Sequence, residues 1–230
     1  RGAITWKQNH QYHYLRIGPF PLHITEENRK EVYNLLHRYY FYTHNEQQPT
    51  ANQVTPDLAH MQTRIASLLE KWLQMNISTT TQNSLILWDG SLTAGTPDAP
   101  TQTITQLLQT ARNHNNTVLA FTKLTRLRLN GHRLTDLTTS ACKPPYLIPI
   151  DGYPVATTPH NAIHFLGNIY VAKLSQGNCS FRLDIDQKTR QHHAIEAAQR
   201  LMGNDLLAES YPETLRLAHI YSTFTANEVI

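Results

Sequence analysis

Two short apolar runs with a helix-patterned stretch between them constrain the fold more than any other feature of this chain. The first is Ser84-Leu85-Ile86-Leu87-Trp88-Asp89-Gly90-Ser91-Leu92, of strand length and rich in bulky apolar side chains. The second is Thr117-Val118-Leu119-Ala120-Phe121-Thr122, which closes on Lys123. Between them Ile104, Leu107, Leu108 and Ala111 recur at helical spacing. Strand, helix, strand in that order predicts a right-handed crossover and a parallel sheet core. The first run also carries Asp89 to its end, where Gly90 allows a sharp bend. A carboxylate there has a rigid support and faces the loop side of the sheet. Asp-Gly is ordinary turn chemistry as well, so the remaining segments decide what Asp89 means.

The flanking segments predict an α/β fold with one mixed sheet. Residues 10–24 read as a strand through Tyr12, Tyr14 and Ile17, then a turn at Gly18-Pro19. Thr25-Glu26-Glu27 opens a helix through Val32, Leu35, Leu36 and Tyr39, with acids in its first turn. Residues 43–56 form a polar surface loop, and a second helix runs from Pro56 past Trp72 and Leu73. Residues 76–83 read as a Thr-rich loop, and residues 144–159 as a proline-dotted irregular stretch. Residues 163–174 and 178–185 look like an antiparallel pair, followed by helices over 187–201 and 211–224.

Composition narrows the class. Of 230 residues, 40% are hydrophobic and 16% charged, which describes a globular chain. A net charge of +3 is compatible with a nucleic-acid partner without requiring one. The 13 histidines are scattered, with no metal-ligand spacing. Two cysteines, Cys142 and Cys179, are too few for a disulfide framework, so the expected compartment is reducing and cytoplasmic. No apolar run approaches the roughly 20 residues that span a bilayer. The chain starts at Arg1 rather than Met and shows no signal-peptide pattern, as expected for a piece of a longer protein.

The closing segment Tyr211-Pro212-Glu213-Thr214-Leu215-Arg216-Leu217-Ala218-His219 is the second place where chemistry concentrates. Pro212 suits a first helical turn, and His219 emerges about two turns later, near the sheet if the apolar face packs there. A lone histidine beside apolar residues is more often a core group than a ligand.

Four segments, in this order, resemble the NurA nuclease family: Leu87-Trp88-Asp89-Gly90-Ser91-Leu92, Phe121-Thr122-Lys123, Phe181-Arg182-Leu183-Asp184, and Ser210-Tyr211-Pro212-Glu213-Thr214-Leu215 through His219. The resemblance runs from about residue 57 onward and treats residues 1–230 as a single NurA-like domain. It implies a ribonuclease-H-like mixed β-sheet flanked by helices. The implied activity is hydrolysis of phosphodiester bonds at DNA ends in double-strand break repair. It further implies manganese or magnesium, in a one- or two-metal site, held by Asp89 and Glu70. The implied catalytic set is Asp89, Glu70, His219 and Tyr211, with Lys123 and Arg182 on the DNA. The implied partners are DNA, a HerA-type hexameric ATPase and a second copy of the chain.

The chain departs from the family pattern at an earlier strand that should end in Asp-Gly-Ser. The nearest segment, Gly2-Ala3-Ile4-Thr5-Trp6-Lys7-Gln8, puts Thr5 in the acid's place, or else the motif lies upstream of Arg1. A second register puts Met61 or Gln62 where Glu70 is expected. Asp136 and Asp151 are spare carboxylates. A catalytically degenerate relative that binds DNA or the ATPase without cleaving is the alternative expectation.

Overall fold

A computed structural model of the chain describes residues 1–42, 55–96, 99–129, 131–136, 143–150 and 163–225. The chain opens with a hairpin of β1 (Gly2–Gln8) and β2 (Gln11–Ile17), paired antiparallel throughout. Its two-residue turn places Asn9 and His10 at positive φ (50° and 63°), the conformation a tight hairpin needs. The helix expected from Thr25 starts four residues later as α1 (Arg29–Tyr42). Thr25 and Asn28 instead exchange backbone-to-side-chain hydrogen bonds of 2.8 and 3.3 Å, closing the turn ahead of the helix. The expected loop at 43–56 falls mostly outside the described residues.

α2 (Leu58–Thr80) is capped by Asp57, whose carboxylate accepts from the His60 N–H at 3.0 Å. It runs through most of the stretch expected to be a Thr-rich loop. The hydroxyls of Ser78, Thr79, Thr80 and Thr81 donate to carbonyls four residues back, so these polar side chains stay inside the helical pattern. Asn116 then ties off the helix end by donating to the carbonyls of Ser78 and Thr81.

The central sheet comes next. β3 (Leu85–Asp89) is followed by the short β4 (Thr93–Ala94) and α3 (Thr101–Asn113), and the chain returns as β5 (Thr117–Thr122), parallel to β3. The parallel pair predicted from the two apolar runs is present. After the small hairpin of β6 (Arg128–Leu129) and β7 (His132–Arg133) comes β8 (Tyr146–Pro149). β9 (His164–Phe165) pairs with β4, and β10 (Gly167–Lys173) forms the expected antiparallel pair with β11 (Phe181–Asp186). The strand order is β3-β5-β11-β10-β8, with one parallel contact and three antiparallel ones. The class is therefore α/β with a mixed five-stranded sheet. β8 corrects the irregular reading of 144–159 at residues 146–149, 151–159 lying outside the described residues: Pro149 sits in an edge strand, where a missing N–H costs no interior ladder bond.

Helices cover both faces. α4 (Gln191–Asn204) packs Ala194, Ala197 and Leu201 against Leu119, Phe121, Leu183 and Ile185. β12 (Leu207–Ala208) and β13 (Tyr211–Pro212) then lead into α5 (Glu213–Ser222), whose Leu215 joins the same cluster. On the opposite face, Ile104, Leu107, Leu108 and Ala111 of α3 meet Ile86, Trp88, Val118 and Ala120. Among the described residues no helix is long and apolar enough to cross a membrane.

Candidate active-site groove around Asp89

Asp89 is the last residue of β3, and its side chain is 46% exposed. The turn after Asp89 is fastened at several points. Gly90 donates its N–H to the Phe121 carbonyl at 2.7 Å, and its own carbonyl accepts from the Thr122 hydroxyl at 2.6 Å. Leu92 donates its N–H to a carboxylate oxygen of Asp184 at 2.9 Å, and its carbonyl accepts from Leu166 at 2.8 Å. Gly90 has a φ of +138°, with nothing within 4 Å of where a β-carbon would stand. Conformation alone therefore requires glycine there. Gly90→Ala is expected to cost about 1–2 kcal/mol, measured by denaturant unfolding; an unchanged midpoint would contradict this.

β11 explains the anchor. Phe181, Leu183 and Ile185 point toward α4, so Arg182, Asp184 and Asp186 fall on the other face, all buried. Arg182 grips Asp184 with two hydrogen bonds of 2.6 Å, and its guanidinium lies 5.4 Å from the Phe165 ring centre. Arg112 of α3 pairs with Asp186. Gly167 lets β10 come close here, since a β-carbon on it would stand 3.0 Å from that of Asp184. Burial is the main influence on the Asp184 carboxyl and pushes it upward, opposed by the Arg182 guanidinium and the Leu92 N–H.

This geometry corrects the expectation for Arg182. At 4% exposed, with its fork committed to Asp184, it is not placed to meet a DNA phosphate. Asp184, which anchors the turn after Asp89 through the Leu92 N–H, is the residue the sequence reading missed. The signal was available in Phe181-Arg182-Leu183-Asp184-Ile185-Asp186, where three charges alternate with apolar residues on one predicted strand.

Lys123 and Tyr211 both attend Asp89. The Lys123 ammonium stands 3.5 Å from an Asp89 carboxylate oxygen and 4.4 Å from the centre of the Tyr211 ring. The ring packs against Phe181 at 5.3 Å and Phe121 at 6.3 Å. The Tyr211 hydroxyl oxygen is sealed from solvent and makes no hydrogen bond of good geometry among the described residues. Asp89 still acts on it. Burial first, then the Asp89 charge and a poorly aligned hydrogen bond to it, push the phenol above its ordinary range. Tyr211 therefore stays protonated at any working pH.

The exposed side of Asp89 opens into a groove of about 880 Å³, whose wall includes Glu70 and Gln74 of α2, His219 of α5, and Arg1 and Gly2. Glu70 accepts from the Gln74 side-chain amide at 2.9 Å, with the Lys71 ammonium at 3.8 Å. His219 is exposed on the groove wall. Of the alternative register, Gln62 and Met61 both line the groove, Met61 as a core side chain 1% exposed. Thr5 does not line the groove; its hydroxyl donates to the Thr214 carbonyl in the seam between β1 and α5, so it does not stand in for an acid. Asp136 is exposed on the 3-10 turn after β7, away from this groove, and Asp151 lies outside the described residues.

Among the described residues, no three His, Cys, Asp or Glu side chains form a metal-holding group. Hard divalent cations of the magnesium type need less: one or two carboxylates, with water and substrate phosphate completing the shell. Asp89 and Glu70, half-exposed on one groove, fit that donor chemistry and not a closed protein cage. Comparison of the chain with protein-family models, with curated proteins and with solved structures finds no match.

Proposed function

We propose that this chain is a divalent-metal-dependent DNA nuclease domain of the NurA kind, on a ribonuclease-H-like sheet. The observation that carries the reading is that Asp89, Glu70 and His219, from three separate elements of which α5 is remote in sequence from the other two, line one groove. Lys123 and Tyr211 from two further elements gather on the same aspartate.

Manganese or magnesium held by Asp89 and Glu70 would supply positive charge to the scissile phosphate and acidify an attacking water. The chain's own residues do the rest. Lys123, 3.5 Å from Asp89, would turn its ammonium to a phosphate oxygen once that carboxylate held a cation. Tyr211, fixed as a neutral phenol, directs its buried hydroxyl at Asp89 and does not act as a base. His219, exposed on the wall, carries a proton between a phosphate oxygen and water. The Arg182–Asp184 pair holds the turn that aims Asp89. In this reading the domain works on DNA ends, as a dimer, beside a HerA-type ATPase.

Tyr211→Phe isolates the hydroxyl. The ring contacts with Lys123, Phe121 and Phe181 survive, so the unfolding midpoint is expected to hold. A hydrogen bond to a charged group contributes about 1.5–3 kcal/mol, so cleavage is expected to slow by roughly ten- to a hundredfold. Full activity would remove Tyr211 from the catalytic set.

One observation favours the second reading, a relative that binds DNA without cutting: the Lys123 ammonium on Asp89. One assay separates the two. Linear DNA incubated with the protein and Mn²⁺ should be degraded by a nuclease, whereas a binder would retard the DNA and leave it intact.

A further inference from the structure

We propose that the hollow beside the β6–β7 hairpin is a binding site for the phosphate backbone of a DNA strand, outside the Asp89 groove. The hollow is about 620 Å³, lined by Leu124, Thr125, Arg126, Arg128 and Arg133. It takes its substrate class from the nuclease reading, but its existence rests on separate observations.

The first is electrostatic. Arg128 and Arg133 are direct cross-strand partners in the hairpin. Like charges placed opposite each other destabilise a strand pair, so this arrangement works against the hairpin that bears it. Arg126 adds a third guanidinium to the same hollow. Arg128 donates to the Gly131 carbonyl at 2.8 Å, which orients its fork. Neither Arg126 nor Arg133 has a carboxylate partner among the described residues. Three exposed guanidiniums around one cavity suit adjacent phosphates, each offering oxygens to a planar fork.

The second observation is that the cationic groups sit on a fixed base. Leu134 is fully buried against Ile169 and Val171, with Leu127 and Leu129 packed on the same cluster. Leu134 donates its N–H to the Leu127 carbonyl at 3.1 Å, and Leu127 donates its own to the Thr125 hydroxyl at 3.1 Å. The third is position. The hollow begins at Leu124, the residue after the Lys123 that touches Asp89, so a strand held there continues from the Asp89 end of β5. Leu124 is 82% exposed and offers an apolar surface to a sugar or base.

The test is fluorescence anisotropy with a labelled single-stranded oligonucleotide, in EDTA, across a salt series. Arg126→Ala with Arg133→Ala is expected to weaken binding about tenfold at low salt. Single-strand binding loses about 0.7 in log–log salt slope per phosphate contact, so the slope should shrink by about 1.4. Arg126→Lys with Arg133→Lys keeps the charges and should restore the slope. Unchanged affinity and slope in the alanine pair would overturn the site, as would absence of DNA binding by the wild type. Failure of the nuclease reading looks different: the wild type binds with the full slope but leaves DNA uncut in Mn²⁺.

Discussion

Asp89→Ala is expected to abolish metal-dependent cleavage while leaving the protein folded. The side chain is half-exposed and makes none of the hydrogen bonds that fasten its turn; those come from Gly90, Leu92, Thr122 and Asp184. Its removal takes away the groove's sheet-borne carboxylate. Metal stabilisation of the transition-state charge is worth several kcal/mol, so the loss in rate is on the order of 10³-fold. The check is initial-rate cleavage of linear DNA in Mn²⁺, with unfolding monitored in parallel. Wild-type rates in the variant would place the chemistry elsewhere. The substitution also frees Lys123, so DNA affinity should rise or hold even as turnover disappears. Affinity falling in step with activity would mean that Asp89 supports the binding surface.

Arg182→Ala is expected to be the most destabilising single change in the molecule, at about 3–5 kcal/mol. Arg182 and Asp184 are both buried, and each satisfies the other's charge. Without Arg182, the aspartate keeps only the Leu92 N–H in an apolar setting. The penalty should depend on pH with a definite sign. Burial already pushes the Asp184 carboxyl up from its unfolded value of 3.8, and loss of Arg182 removes the main opposing influence. A folded-state value above the unfolded one adds stability that is full at low pH and lost as pH rises through the folded value. The deficit against wild type should therefore grow as pH rises through the wild type's raised folded value toward the still higher one of the variant. Denaturant unfolding at several pH values measures it. A deficit that is flat with pH, or below about 1 kcal/mol, would contradict the account of this pair.

The same pair marks the limit of what the sequence alone makes legible. Regular patterns survive translation into structure: two apolar runs become the parallel strands β3 and β5, and the helical spacing of Ile104 to Ala111 becomes the buried face of α3. The Asp89 turn is visible because Gly90 comes straight after a strand-length apolar run. The Ser78–Thr81 stretch is misread because its hydroxyls bond within the helix, which composition does not encode. β8 is hidden by prolines that matter only if the strand is interior. Arg182 looks like a surface charge on a strand because pairing with Asp184, which makes the burial of both tolerable, depends on side chains brought together by the fold. Of the candidate site, Asp89, Glu70 and His219 are legible as residues. Their common groove is a property of how α2, β3 and α5 meet.

The central claim is that Asp89, with Glu70, holds a divalent cation. The most direct test is an anomalous difference map from crystals grown with Mn²⁺ and a short DNA oligonucleotide. The account predicts a peak at about 2.1 Å from an Asp89 carboxylate oxygen, with Lys123 displaced toward phosphate. A map with DNA in the groove, no peak at Asp89 and Lys123 still paired to it would contradict the claim.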